Sequence, residues 1–241
     1  FQYQKGTASI PLTISSPKGV NLPPPVRLLI NAREPEQRGR VLSVAGKLVD
    51  IAPDPQRGRF YVLRQDKNQV LVFDANTQQQ IGTMRTGNTP VQMAISADRR
   101  NLLVTNENSQ IINVLDLDNL QATNFIELPF GRYAHSVTAT ARAVWATARN
   151  VGEPVATDCA AGAGGGTGEL LRLDISRRFA SVPSRLGMFC NAIDPASGLT
   201  TSLSGGTALL VQPSGQAMVY ESASDNWVAG RKDFPSLGGA Y

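Results

Sequence analysis

Short apolar runs separated by polar turns dominate the chain from about residue 48 onwards. Phe60–Leu63 (FYVL) and Val70–Asp74 (VLVFD) are two of these runs, and the polar segments APDPQRGR and RQDKNQ flank them. Runs of four to six residues rich in β-branched and aromatic side chains, bounded by Gly, Pro, Asn and Asp, predict β-strands. The pattern therefore indicates a chain of many short strands and tight turns.

The strands recur with a period of about 42 residues. Val49–Asp74 aligns with Val91–Asp116 without a gap, and apolar positions match along the whole alignment. Each copy contains four short strands, which is typical of a blade of a β-propeller. The third strand ends in Asp74 in one copy and in Asp116 in the next. We expect these carboxylates to bind backbone amides two residues further on, as Asp does in turns.

The repeat predicts an all-β fold, a β-propeller built of four-stranded blades of about 42 residues. About four full blades and a half blade are visible. Residues 1–25 are expected to form a strand and a Pro-rich linker, possible remains of a β-sandwich module, and 26–241 the propeller. The predicted segments are a half blade at 26–47 and blades at about 48–90, 91–134, 135–189 and 190–241.

Ring closure and an alternative architecture stay open at this point. After about Phe234 too little chain remains to supply the strands that the half blade lacks. We therefore expect an incomplete propeller, in which the chain is truncated or another copy or chain completes the sheet. A pair of β-sandwich domains is the alternative architecture, but it does not explain a gapless self-match.

The segment Phe60–Asp98 resembles the YVTN-type β-propeller repeat family. Tyr61 and Val62 stand where that family has its Tyr-Val pair, and Gly87–Pro90 fits its G-x-x-P bend. The resemblance implies a propeller from a secreted or surface bacterial protein, often joined to immunoglobulin-like modules. An extracellular, cell-surface or periplasmic location follows as an expectation. Related propellers include lactone hydrolases and cofactor-bearing dehydrogenases, but repeat similarity alone transfers no activity.

Charge and hydropathy exclude two classes of partner. The net charge is only +4, and the 18 Arg residues are scattered along the chain. Nucleic-acid binders usually concentrate basic residues on one face, so no nucleic-acid partner is expected. No apolar run approaches the roughly 20 residues that a membrane-spanning helix needs, so no membrane insertion is expected.

The residues that could carry chemistry are few. The chain has a single His, His135, and no G-x-S-x-G motif, so a structural role for His135 is the favoured interpretation. The Gly-rich tract 160–168 lacks the context of a phosphate-binding loop. No dense acidic loop suggests calcium, so we predict no metal, no cofactor and no enzymatic activity.

Two pairs of residues have structural interpretations. Cys159 and Cys190 are expected to form a disulfide if the protein is secreted, with two separate thiols as the alternative. Trp145 and Trp227 are expected to pack between blades rather than to form a binding platform.

The predicted function is that of a secreted scaffold or a binding and adhesion module. Its partner would be a protein, a carbohydrate or a second copy, joined by blade completion or edge strands. The candidate binding loops are Arg64–Gln69, Glu107–Gln110 and the insertion 149–168, of which the first two should share a face. The candidate binding residues are Arg64, Asp66, Asn68, Asn106, Glu107 and Asn108.

Two other functions remain open. A lactonase-like hydrolase would need a metal or a His/acid cluster at the central opening. A lectin would need exposed aromatic residues repeated from blade to blade.

Overall fold

The structure is a computed structural model, which describes residues 6–13, 15–19, 25–32, 41–151, 168–182, 192–202 and 204–229. The chain divides into two compact units, Phe1–Val44 and Ala45–Tyr241. In the N-terminal unit, β1 (Gly6–Leu12) pairs with β2 (Val26–Ala32) in antiparallel register.

This pairing differs from the predicted half blade at 26–47. The apolar run Val26–Asn31 predicts the third strand of that half blade, but in the structure it pairs with the strand that precedes the Pro-rich segment. Residues 41–45, expected within a fourth strand, form none. The physical reason is the register of the hairpin, which sets Ile10 opposite Leu28 and Leu12 opposite Val26. Matched apolar positions across two strands favour their pairing, and the boundary between units falls after Val44 rather than after residue 25.

The C-terminal unit contains four antiparallel meanders of four strands each, which follow one another along the chain. Meander 1 comprises β3 (Leu48–Asp54), β4 (Arg59–Arg64), β5 (Gln69–Asp74) and β6 (Gln80–Arg85). Meander 2 comprises β7 (Pro90–Ile95), β8 (Asn101–Asn106), β9 (Ile111–Asp116) and β10 (Gln121–Glu127). Meander 3 comprises β11 (Arg132–Ala139), β12 (Val144–Asn150), β13 (Gly168–Asp174) and β14 (Phe179–Ser181). A short parallel pairing of β14 with β10, Phe179 opposite Glu127, joins meanders 2 and 3 in one sheet.

The last strands differ in part from the prediction. A short strand, β15 (Ala192–Ile193), pairs with β13 of meander 3. Meander 4 begins only afterwards, with β16 (Gly198–Thr201), β17 (Thr207–Val211), β18 (Ala217–Glu221) and β19 (Asn226–Ala229). The sequence AIDPASG at 192–198 resembles APDPQRG at 52–58, and both keep the same turn, in which Ser197 N donates to Asp194 O as Arg57 N donates to Asp54 O. The strands before the turns differ, because β15 pairs with β13 and not with the strand that follows it. A single 3-10 turn, Gln65–Lys67, is the helical element among the described residues.

The turns after the third strands confirm the expected role of the aspartates. Asp74 Oδ1 accepts hydrogen bonds from the backbone nitrogens of Asn76 and Thr77, at 2.9 and 2.8 Å. Asp116 Oδ1 accepts the equivalent bonds from Asp118 and Asn119, both at 2.8 Å. Four residues after each aspartate the backbone is left-handed, as it is at the matching turns of meanders 3 and 4; the residues are Gln78, Leu120, Arg178 and Asp225.

The first strands of the meanders, β3, β7, β11 and β16, contact one another in series. One polar side chain on each of the first three reaches the backbone of the next strand. Asp50 Oδ2 accepts from Met93 N at 2.6 Å and Gln92 Oε1 from Val137 N at 2.8 Å. Ser136 Oγ accepts from Leu199 N at 2.8 Å. We call Asp50, Gln92 and Ser136 the latch residues.

Apolar cores fill the spaces between successive meanders. Between meanders 3 and 4, Trp145, Tyr220 and Trp227 are buried and their rings meet at centroid distances of 5.3–5.5 Å. This confirms that both tryptophans pack in the core. Comparable clusters lie between meanders 1 and 2 and between meanders 2 and 3.

The series of latch bonds stops at both ends. Meander 4 has Gly198 at the position of the latch residues, where an added Cβ would meet nothing within 4 Å. On meander 1, Ile51 is 63% exposed, whereas its counterparts Met93, Val137 and Leu199 are buried. Within the described residues, one face of meander 1 is therefore left uncovered.

Candidate binding face

The charged candidates on the first predicted loop bind each other. The guanidinium of Arg64 donates three hydrogen bonds to Asp66, from Nε to Oδ1 at 3.0 Å and to Oδ2 at 3.3 Å, and from Nη2 to Oδ2 at 2.9 Å. Asp66 Oδ1 also accepts from Lys47 N at 2.8 Å. The Arg64 side chain and this amide lower the pKa of Asp66 to about 2. The pair therefore braces the loop and offers a partner little net charge.

The loops at 65–68 and 107–110 lie on the same face and meet at Thr89. Thr89 N donates to Asn68 Oδ1 at 3.0 Å, and Asn108 Nδ2 donates to Thr89 Oγ1 at 2.8 Å. Asn88 N donates to Ser109 Oγ at 2.8 Å. Thr89 has a φ of 56°, which is strained for a β-branched residue. These bonds join the two predicted loops into one platform.

Asn106 has a structural role that differs from the predicted surface role. It is fully buried, and its Nδ2 donates to Val104 O, Ile111 O and Asn113 Oδ1 at 3.0–3.2 Å. A Cβ on Gly87 would lie 2.8 Å from the Asn106 amide. The glycine of the predicted bend is therefore needed for close packing against Asn106.

Glu107 belongs to a cluster that sequence reasoning did not assemble. Glu107 Oε1 lies 2.6 Å from His135 Nδ1, and Arg149 Nη2 donates to the Glu107 carbonyl oxygen at 3.1 Å. The Arg149 guanidinium lies over the Tyr133 ring, 4.9 Å from its centroid. This position arises because Arg149 pairs with Tyr133 across β11 and β12.

Two exposed apolar residues lie beside this cluster. Phe130 is 81% exposed on the connection into β11, and Val151 is also exposed. Val151 N donates to Gly131 O at 2.9 Å, which holds the two segments together. The loop-face patch is defined as Glu107, Phe130, Tyr133, His135, Arg149 and Val151. The one sequence signal for it is that GRYA at 131–134 departs from the G-x-x-P bend.

The remaining candidates for chemistry are the two cysteines, a metal site and His135. Cys159, Cys190 and residues 152–167 of the insertion lie outside the described residues, so the disulfide stays a prediction. The described residues contain no group of three or more His, Cys, Asp and Glu side chains able to hold a metal ion. The hydrogen bond between Glu107 Oε1 and Nδ1 orients the His135 ring on the loop face.

A central cavity of about 380 Å³ is lined by the first strands of all four meanders. It lies toward the ends of those strands opposite the loop-face patch, around residues 95–99, 139–141, 201–202 and 204–205. Among its described lining residues Arg99 is the charged one, and the others are apolar or carry hydroxyl or amide groups. His135 and Glu107 do not line it.

Comparisons of structure show the fold. Hydrazine synthase from Kuenenia stuttgartiensis is similar with a TM-score of 0.56 and 16% identity over 81% of this chain and 51% of its own. The Cps50 (Swd1) β-propeller domain from Myceliophteria thermophila is similar with a TM-score of 0.52 and 12% identity, covering 80% of this chain and 59% of its own. The chain thus spans little more than half the length of these structures.

The comparisons establish an all-β, propeller-like fold. No protein-family model matches the sequence, and no curated protein matches it, so the YVTN resemblance stays a prediction. Among the described residues, no helix has the length and apolar character required to cross a membrane.

Proposed function

We propose that the four meanders are four blades of a β-propeller and that the protein is a non-enzymatic, secreted binding module. The loop-face patch is its protein-binding surface. The observation that carries this proposal is the exposed Phe130 beside the stacked Arg149 and Tyr133. Aromatic residues and Arg are enriched at protein interfaces and supply most of their hot spots.

The rigidity of the platform supports the same proposal. The bonds through Thr89 join the loops of meanders 1 and 2, and the bond from Arg149 to the Glu107 carbonyl connects meander 3 to that face. A preorganised surface loses little conformational entropy when it binds a partner. The surface is therefore suited to a folded protein partner.

Site-specific cross-linking tests the patch. A benzophenone amino acid in place of Phe130 should cross-link the partner, whereas the same group in place of Phe125 should not. Phe125 is a matched control because it is also an exposed Phe, on β10. Mass spectrometry identifies the cross-linked protein, which includes the possibility of a second copy. Equal cross-linking at both positions, or none at position 130, would contradict the proposal.

Self-assembly through the uncovered face of meander 1 is a second candidate, favoured by the exposure of Ile51. If a second copy covers this face, Ile51→Asp should lower the mass measured by sedimentation equilibrium to that of a monomer. Ile81→Asp is the control, because Ile81 is exposed on the outer strand β6. A monomeric wild-type protein would exclude this candidate.

The lactonase-like function remains an alternative, and a metal analysis of the purified protein tests it. A stoichiometric metal ion, together with lactone hydrolysis that a chelator abolishes, would favour it over a binding module.

A further inference from the structure

The central cavity has an electrostatic feature that the loop-face proposal does not use. Arg99 is half-buried at its rim, and none of the described residues accepts a hydrogen bond from its guanidinium. Two other arginines at the same ends of the strands are neutralised: Arg57 contacts Asp54 and Asp118, and Arg142 contacts Asp225. An unpaired guanidinium in a concave site attracts anions.

The backbone of Arg99 is held in place on both sides. Its nitrogen donates to Ser96 O at 2.8 Å, and its carbonyl oxygen accepts from Arg57 Nη1 at 2.8 Å. Its φ is 57°, a left-handed conformation that is uncommon for Arg. The fold thus constrains the segment that carries this charge to the rim of the cavity.

Neutral polar groups complete the lining. Thr138 and Thr200 line the cavity, and neither hydroxyl has a hydrogen-bond partner among the described residues. Small side chains such as Ala94 and Ala139 leave the space open. A volume of about 380 Å³ lies within the usual range of small-molecule sites. The lining thus contains one guanidinium and several hydroxyl groups, a combination that complements a ligand with one anionic group and several hydroxyl groups.

From this geometry we infer that the central cavity binds a small hydroxylated organic anion, with Arg99 holding its anionic group and Thr138 and Thr200 its hydroxyls. The carboxylate of a sugar acid and the phosphate of a sugar phosphate share this chemistry. The inference is independent of the loop-face patch, which lies toward the opposite ends of the strands.

Calorimetry on the whole chain tests this inference with glucuronate, glucose 6-phosphate, glucose and inorganic phosphate. Glucuronate or glucose 6-phosphate should bind at least about tenfold more tightly than glucose, since a charge-assisted hydrogen bond contributes about that factor. Binding by glucuronate alone identifies a carboxylate ligand, and binding by glucose 6-phosphate alone identifies a phosphate ligand. Inorganic phosphate should bind more weakly than either sugar, because it cannot reach the hydroxyls.

Two matched variants assign the effect to Arg99. Arg99→Asn should weaken binding about tenfold or more, and it should fold, because Asn tolerates the left-handed backbone. Arg100→Asn removes the same charge from the adjacent, exposed residue outside the cavity, and binding should stay within twofold. Thr138→Val should weaken binding without a change in charge.

Three results would overturn the inference. The first is that neither charged sugar binds at 20 mM probe. The second is that glucose binds as tightly as the charged sugars. The third is that Arg99→Asn and Arg100→Asn lose the same amount of affinity.

Discussion

Gln92 Oε1 accepts a hydrogen bond from Val137 N over 2.8 Å and joins the first strands of meanders 2 and 3. The same oxygen accepts from the hydroxyl of Ser136, and Gln92 Nε2 donates to Leu199 O of meander 4 at 3.3 Å. One side chain therefore links three meanders. Its loss should affect the packing of the whole C-terminal unit rather than one sheet.

Replacing Gln92 with Leu should lower the free energy of unfolding by about 2–4 kcal/mol. The substitution keeps the approximate volume but leaves Val137 N and Leu199 O without their partners, and each unpaired backbone group costs about 1–3 kcal/mol. Urea unfolding measures the change. Gln121→Leu, on the exposed start of β10, serves as control, and an equal loss there would contradict a latch role for Gln92.

Replacing Asp50 with Asn should stabilise the protein at pH 7. Burial raises the pKa of Asp50 above its ordinary 3.8, although the backbone amides of Met93 and Ile51 oppose the shift. The folded protein therefore holds the Asp50 proton more tightly than the unfolded chain, and stability falls as the pH rises through the raised pKa. Asn does not titrate, and its single amide oxygen can keep the Met93 hydrogen bond. It loses only the solvent-exposed bond that Ile51 N donates to the second carboxylate oxygen.

The advantage of Asp50→Asn should shrink as the pH falls below 3.8, where the carboxyl is protonated in both states. Denaturant unfolding at pH 7 and pH 3 measures the two differences. Asp50→Leu, which removes the acceptor, should destabilise the protein at both values. A stability gain in Asp50→Leu at pH 7 equal to that in Asp50→Asn would refute the latch.

Tyr61 and Tyr220 should ionise at high pH. Tyr61 OH donates to Asp54 Oδ2 at 3.0 Å, and Tyr220 OH donates to Asp225 Oδ1 at 2.6 Å. Burial first, and then these carboxylates, raise the pKa of each phenol to about 12. Because the folded pKa lies above the unfolded value of about 10, stability should fall between pH 10 and pH 12.

Absorbance at 295 nm follows the tyrosine ionisation. Tyr61→Phe and Tyr220→Phe should each remove one phenol from the late phase, and the double variant should remove both. Complete ionisation of all tyrosines near pH 10 in folded protein would contradict the assignment.

Replacing Gly168 or Gly198 with Ala should change the stability of the protein by different amounts. A Cβ on Gly168 would lie 2.7 Å from the backbone of Pro195, whereas a Cβ on Gly198 would meet nothing within 4 Å. Gly168→Ala should therefore cost about 2 kcal/mol, as overpacking does, and Gly198→Ala should change stability by less than about 0.5 kcal/mol. Thermal unfolding compares the two variants, and equal melting temperatures would contradict this packing.

Much of the fold is predictable from local patterns. Strand positions in meanders 1 and 2, the turns at Asp74 and Asp116, and the burial of Trp145 and Trp227 follow from periodicity and turn chemistry. These features depend on residues close in sequence or on the general tendency of large apolar side chains to be buried. The local pattern does not indicate that β1 pairs with β2, because the Pro-rich segment between the two strands reads as a linker.

The candidate site was less predictable than the fold. The repeat predicts that the loops Arg64–Gln69 and Glu107–Gln110 share a face, and Asn68 and Asn108 do meet there, but the candidate Asn106 is buried. Asn106 is the last residue of β8 and its side chain is buried in the sheet, whereas Asn108 lies in the turn after that strand, so residues close in sequence have opposite roles. The stacking of Arg149 on Tyr133 depends on the register between β11 and β12, which the repeat does not specify.

By itself the sequence determined that this chain forms short strands in a repeat of about 42 residues, because strand and turn propensities act over a few neighbouring positions. The tertiary structure alone decided which side chains meet across strands and meanders. Gln92 and Val137, Glu107 and His135, and Arg99 at the rim of the central cavity owe their positions to register and to packing between sheets. These contacts join residues that are distant along the chain, so no local pattern records them.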